Sequence, residues 1–178
     1  MFAGHQYPQF FTASCTENQN LLEQDSSKDL LLDDLRCMVA SGCIKVYAFV
    51  LMPDHVHYLW HVHPSLDYSK IKEAHLFNVA QKIRQDLQAN RQEDFWEINT
   101  RSVDLYTPKA IYQKLEFIHA NPERERWKLR QDAKAYPFSS IEFYDTGYDR
   151  FNFLTHVGER GIWNKEPDRV RMNFDLLD

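Results

Sequence analysis

The chain has no surplus of positive charge: 21 Lys and Arg stand against 26 Asp and Glu, a formal net charge of −5 over 178 residues. Proteins that coat nucleic acid non-specifically draw on excess Lys and Arg, so that class is disfavoured, while a local basic patch stays open. Cysteine is scarce, and Cys15, Cys37 and Cys43 form no C-x-x-C pair. An odd count without a framework points to reduced thiols, as in a cytoplasmic protein. No apolar run approaches the roughly 20 residues that span a bilayer. The opening MFAGHQYPQFF lacks the basic segment and apolar core of a secretion signal. Internal repeats and low-complexity segments are absent as well. The length suits one domain, residues 1–178, and the 14% aromatic content suits either a packed core or a surface that stacks bases.

The richest β-branched and aromatic run is VYAFVLMPDHVHYLWHVH, Val46–His63, which carries four of the eight histidines. Tyr47–Leu51 reads as a buried strand and Met52-Pro53-Asp54 as the turn of a hairpin. Beyond it, Val56, Tyr58, Trp60 and Val62 alternate with His55, His57, Leu59, His61 and His63, so the two sets face opposite sides of a strand. His55 and His57 then point the same way, roughly 7 Å apart. Two imidazoles so placed can converge on a divalent cation, or serve as plain polar groups at a strand end.

Before this run, Gln9–Cys15 reads as a first strand. Asp25, Ser26 and Ser27 offer caps for a helix reaching about Ser41, with Leu31, Leu32, Leu35, Met38 and Val39 at helical spacing and Gly42 closing it. Asp67–Asn90 reads as a second helix with Ile71, Ala74, Leu76, Phe77, Ala80, Ile83 and Leu87 inward. Phe95–Leu105 reads as extended. Thr107 then caps, and Pro108 opens, a third helix that Asn121-Pro122 stops. This order predicts an α+β fold: a ferredoxin-like antiparallel sheet (split βαβ) with helices on one side, a late helix, and a C-terminal extension. The core is expected at about 7–122 and the extension at about 123–178.

Taken in order, YAFVLMPDHVHYLW (Tyr47–Trp60), FWE (Phe95–Glu97), KLEFIHANPERERW (Lys114–Trp127), YPFSS (Tyr136–Ser140) and FNFLTH (Phe151–His156) resemble the single-tyrosine HUH transposases of the IS200 type. Their REP-associated (RAYT-like) branch is the most similar. The resemblance implies an enzyme, monomer or homodimer, that handles single-stranded DNA, usually folded into hairpins. It implies Mg²⁺ or Mn²⁺ on His55 and His57, with Asn121 as an amide third ligand. It also implies a tyrosine nucleophile on the late helix, whose phenolate attacks a phosphate and can leave again. That position holds Phe117, which has no oxygen.

Phe117 and Asn121, four apart, differ by only about 40° around a helix and share a face. Asn121 also reads as a simple helix breaker. Tyr112 and Tyr106 fit the active face poorly, His119 should point away, and His61 and His63 lie farther along the strand. Arg124, Arg126, Trp127, Lys128 and Arg130 suit a phosphate-contacting patch with one stacking aromatic, or a solvated face. Lys70, Lys72, Lys82 and Arg84 form the other candidate patch.

Three readings follow. The first is a strand transferase disarmed by an introduced Phe117, able to bind but not to cleave. The second is a naturally non-catalytic hairpin-binding protein. The third, ranked low, is a small metal-dependent hydrolase with Asp54 or Glu116 as base.

Overall fold

The computed structural model describes residues 7–87, 94–124 and 133–158. Ile44–Leu51 (β2) and His55–Val62 (β3) form the expected antiparallel hairpin. The Met52 N–H donates to the His55 carbonyl at 2.8 Å and closes the turn. Pro53, which has no N–H to give a ladder, falls between the strands. Gln9–Ser14 (β1) lies along the other side of β3, antiparallel, with Thr12 opposite His57 and Ser14 opposite His55. Arg101–Asp104 (β4) completes the order β2-β3-β1-β4. β1 and β2, joined through Asp25–Ala40 (α1), are thus parallel to each other with β3 between them, which is the split βαβ arrangement.

Strand alternation sends neighbouring β3 side chains to opposite helical layers. Tyr58 and Trp60 face His75 of Tyr68–Asp86 (α2), with ring centroids 5.5 and 5.8 Å away. His57 faces Phe117 of Pro108–His119 (α3) at 5.1 Å. The helix pair α1 and α2 therefore covers one face of the sheet, and α3 covers the other. Among the described residues, no helix is long and apolar enough to cross a membrane.

Several boundaries differ from the sequence reading. The N-cap of α1 is Gln24, with no side-chain cap bond, and Asp25 already lies inside the helix. Ser26 instead donates to Asp86 at the end of α2, at 3.0 Å. At the other end Gly42 adopts φ +73°, the left-handed stop expected of it. In α2, Asp67 is the cap, accepting from the Lys70 N–H, and the helix ends at Asp86; residues 88–90 lie outside the described ones. Its inward face omits Ala74 and Phe77, which are exposed, and takes in His75. A polar partner explains that exchange: His75 Nδ1 lies 2.7 Å from an Asp34 carboxylate oxygen, and Tyr58 Oη 3.3 Å from Nε2. Extended pairing in 95–105 shrinks to β4 and a single bridge from Trp96 to Cys15. The α3 helix ends at His119 with Ala120 as its C-cap, where Asn121-Pro122 were expected to stop it, and a 3₁₀ turn, Asn121–Glu123, follows.

Residues 133–158 dock along the outer edge of β2. Leu51 N–H donates to Phe138 O at 2.9 Å, Ser140 N–H to Phe49 O at 3.0 Å, and Thr155 N–H to Val46 O at 2.9 Å. Tyr136 and Tyr144 donate their hydroxyls to the carbonyls of Leu51 and Tyr47. Phe151 and Phe153 pack on Phe49, with centroids 4.9 and 5.9 Å away. An otherwise open strand edge is thereby covered, and Ile141–Thr146 (α4) lies between its attachment points.

Candidate functional site

The α3 face of β3 gathers the residues singled out in the sequence. His55 and His57 have ring centroids 4.7 Å apart. His55 Nδ1 is engaged by the carboxylate of the adjacent Asp54, which is only 1% exposed. A ring that donates its Nδ1 proton to a carboxylate keeps the lone pair on Nε2. That Nε2 faces Asn121 Oδ1 at 3.3 Å. The two atoms are hydrogen-bonded when Nε2 carries the ring proton, and both are ligand atoms for a cation when it does not. His55 and Asn121 could therefore hold a metal, with His57 beside them.

His57 is held from β1, where Thr12 Oγ1 lies 2.8 Å from its Nδ1. Burial, then the neighbouring His55, Arg124 and Lys114, pushes its pKa well below the usual histidine value. A neutral imidazole is the form that ligates metals. Phe10 stacks on this ring at 5.4 Å, and Phe117 meets both Phe10 and His57 edge-on.

α3 is started by Thr107, whose side chain accepts from the Ala110 N–H at 3.2 Å, with Pro108 in its first turn. Phe117 is half-buried and Asn121 is 3% exposed, and both turn toward β3 as their spacing requires. The Arg124 guanidinium lies over the Phe117 ring at 4.0 Å, and Lys114 Nζ sits 5.3 Å from the same ring.

Other candidates lie elsewhere. His119 turns to Ser140, 2.9 Å away, and to Tyr144. Tyr112 packs against the core, and Tyr106 is exposed. His61 is half-buried farther along β3, and His63 contacts Ser65 Oγ at 2.8 Å. Lys72 and Lys82 belong to α2, across the sheet, where Lys82 pairs with Asp34. Arg126, Trp127, Lys128 and Arg130 fall outside the described residues. The sequence reading missed Thr12 and Phe10, which depend on strand register. It also missed Lys114, although positions 114, 117, 121 and 124 already carry a helical spacing.

The IS200-like transposase family matches residues 10–103, more than half of the chain; the span contains both β3 histidines and stops short of α3. No curated protein sequence matches. A REP-associated tyrosine transposase solved bound to a REP hairpin is similar in fold, with a TM-score of 0.64 at 15% identity, over 94% of this chain and 96% of that one. A crystal structure from Deinococcus radiodurans R1, provisionally assigned as a transposase, gives a TM-score of 0.47 at 19% identity, over 63% of this chain and 89% of that one. The β3 histidines thus lie within the stretch that carries the family relationship, and the chain belongs to the IS200-like transposase family.

Proposed function

We propose that this chain binds single-stranded DNA folded into hairpins, in the cytoplasm, at a strand-transfer site whose nucleophile position is Phe117. In this reading His55, His57 and Asn121 hold Mg²⁺ or Mn²⁺, which when bound draws charge from phosphoryl oxygens. The observation that carries the reading is the facing pair of His55 Nε2 and Asn121 Oδ1, 3.3 Å apart and beside His57. The hairpin in the structure of the similar transposase supports the substrate class.

The protein's own residues have separate tasks. Asp54 fixes the His55 tautomer, and Thr12 orients His57. Phe117 fills the nucleophile position with a ring that has no hydroxyl. The chain therefore binds without cutting.

Restoring the hydroxyl tests this. Phe117→Tyr, incubated with Mn²⁺ and hairpin DNA from the flanks of the encoding gene, is expected to give a protein–DNA adduct on denaturing gels. The chain as written is expected to give none, and His57→Ala should abolish the adduct of the tyrosine variant. Binding by both forms with an adduct from neither would make this a hairpin-binding relative without catalysis. Absence of binding by either form would overturn the proposal.

A further inference from the structure

Lys114 and Arg124 approach the same ring from two segments, α3 and the turn that follows it. Lys114 Nζ lies 4.4 Å from the Phe10 centroid and 5.3 Å from that of Phe117, and Arg124 Cζ lies 4.0 Å from that of Phe117. Neither cation has a carboxylate partner among the described residues. Elsewhere in this acidic chain Lys82, Lys134 and Arg150 are drawn to Asp34, Asp145 and Glu142. The carboxylates near the site are occupied: Asp54 holds His55, and Glu123 accepts from the Ala133 N–H at 2.7 Å. A cation resting on a ring is weakly held and keeps its N–H donors free for a stronger acceptor.

We propose that Lys114 and Arg124 form a phosphate clamp over residue 117, gripping a backbone phosphodiester of single-stranded DNA beside the two imidazoles. The clamp rests on the DNA-binding reading above. It explains how a chain of net charge −5 engages a polyanion: affinity comes from two unneutralised cations at one place, not from the overall field. Arg124 suits a bidentate grip on phosphate, and Lys114 acts as a point charge.

Fluorescence anisotropy tests it on the full chain, with EDTA present so that no metal bridges the DNA. The probes are a dye-labelled hairpin with a single-stranded 5′ flank and an oligo-dT strand, each titrated at several salt concentrations. Lys114→Gln and Arg124→Gln are each expected to weaken binding several-fold. Each should also make the slope of log K against log salt shallower by about 0.7, the value for one phosphate contact on a single strand. Lys114→Arg should retain both affinity and slope, and so should Lys45→Gln, an exposed lysine at the far end of β2. Circular dichroism checks that each variant is folded. Wild-type binding with unchanged affinity and slope in both Gln variants would overturn the clamp and leave the DNA-binding reading standing. Failure of the wild type to bind either probe, with EDTA and again with Mn²⁺ in its place, would overturn both.

Discussion

Asp54 and Cys15 show how one buried carboxylate conditions its neighbours. The backbone N–H of Cys15 donates to the Asp54 carbonyl at 2.6 Å, and burial, then the Asp54 charge, pushes the Cys15 thiol up to about 12. Cys37 is exposed. A thiol reagent at pH 8 should therefore label Cys37 rapidly and Cys15 only after denaturant is added, and fast labelling of Cys15 in the native protein would contradict this placement. His119 behaves differently: burial, opposed by Asp145, lowers its pKa from 6.5 to about 4. The unfolded chain thus binds a proton below about pH 6.5 that the folded chain refuses until about pH 4, so stability falls as pH drops through that window, by at most about 3 kcal/mol. Thermal unfolding between pH 7 and 4.5 should show a shallower acid loss in His119→Gln than in the wild type. Equal losses would rule out this group as the source.

Individual elements are held by polar contacts that their apolar patterns do not reveal. α1, α2 and β3 meet at Asp34, which receives His75 at 2.7 Å and Lys82 at 3.0 Å, while Tyr58 Oη reaches the other side of His75. Burial alone would raise the Asp34 pKa, but these two partners outweigh it and hold the carboxyl below its usual value. The stabilisation is therefore present at neutral pH and is lost only as pH falls below about 3.8. Asp34→Ala is expected to cost about 2 kcal/mol in a urea melt at pH 7, chiefly by leaving buried His75 without its acceptor. At the start of α3, Thr107→Ala removes the acceptor for Ala110 N–H and should cost about 1 kcal/mol in the same measurement. Both α3 and the β2–β3 hairpin were legible because Thr-Pro, Met-Pro-Asp and period-two alternation are local signals. The inward turn of His75 was not, since its reason lies on another helix.

The molecule is closed by the segment that read least clearly. Between Glu123 and Asp178 the sequence mixes charge and aromatics without a clean period, yet residues 133–158 cover the β2 edge and touch α3. Ser140 Oγ is the junction: it accepts from Phe49 N–H at 3.0 Å, lies 3.2 Å from Phe49 O, and lies 2.9 Å from His119 Nε2. Ser140→Ala should cost about 1–3 kcal/mol in thermal or urea unfolding, because a buried backbone donor loses its acceptor. A change within a few tenths of a kcal/mol would show that water replaces the hydroxyl. The YPFSS and FNFLTH blocks have their explanation here, as anchors to β2.

By itself the sequence determined the order of elements, the hairpin, the common orientation of His55 and His57, and the shared helix face of Phe117 and Asn121. These follow from periodicities of two and of 3.6 and from turn residues. Only the tertiary structure decided that α3 lies across the sheet from α1 and α2, and that Thr12 supports His57 from β1. It alone set Lys114 and Arg124 over one ring and brought Asn121 to His55. Those contacts depend on strand register and on which face of the sheet a helix covers, quantities that long-range packing sets and no local pattern encodes.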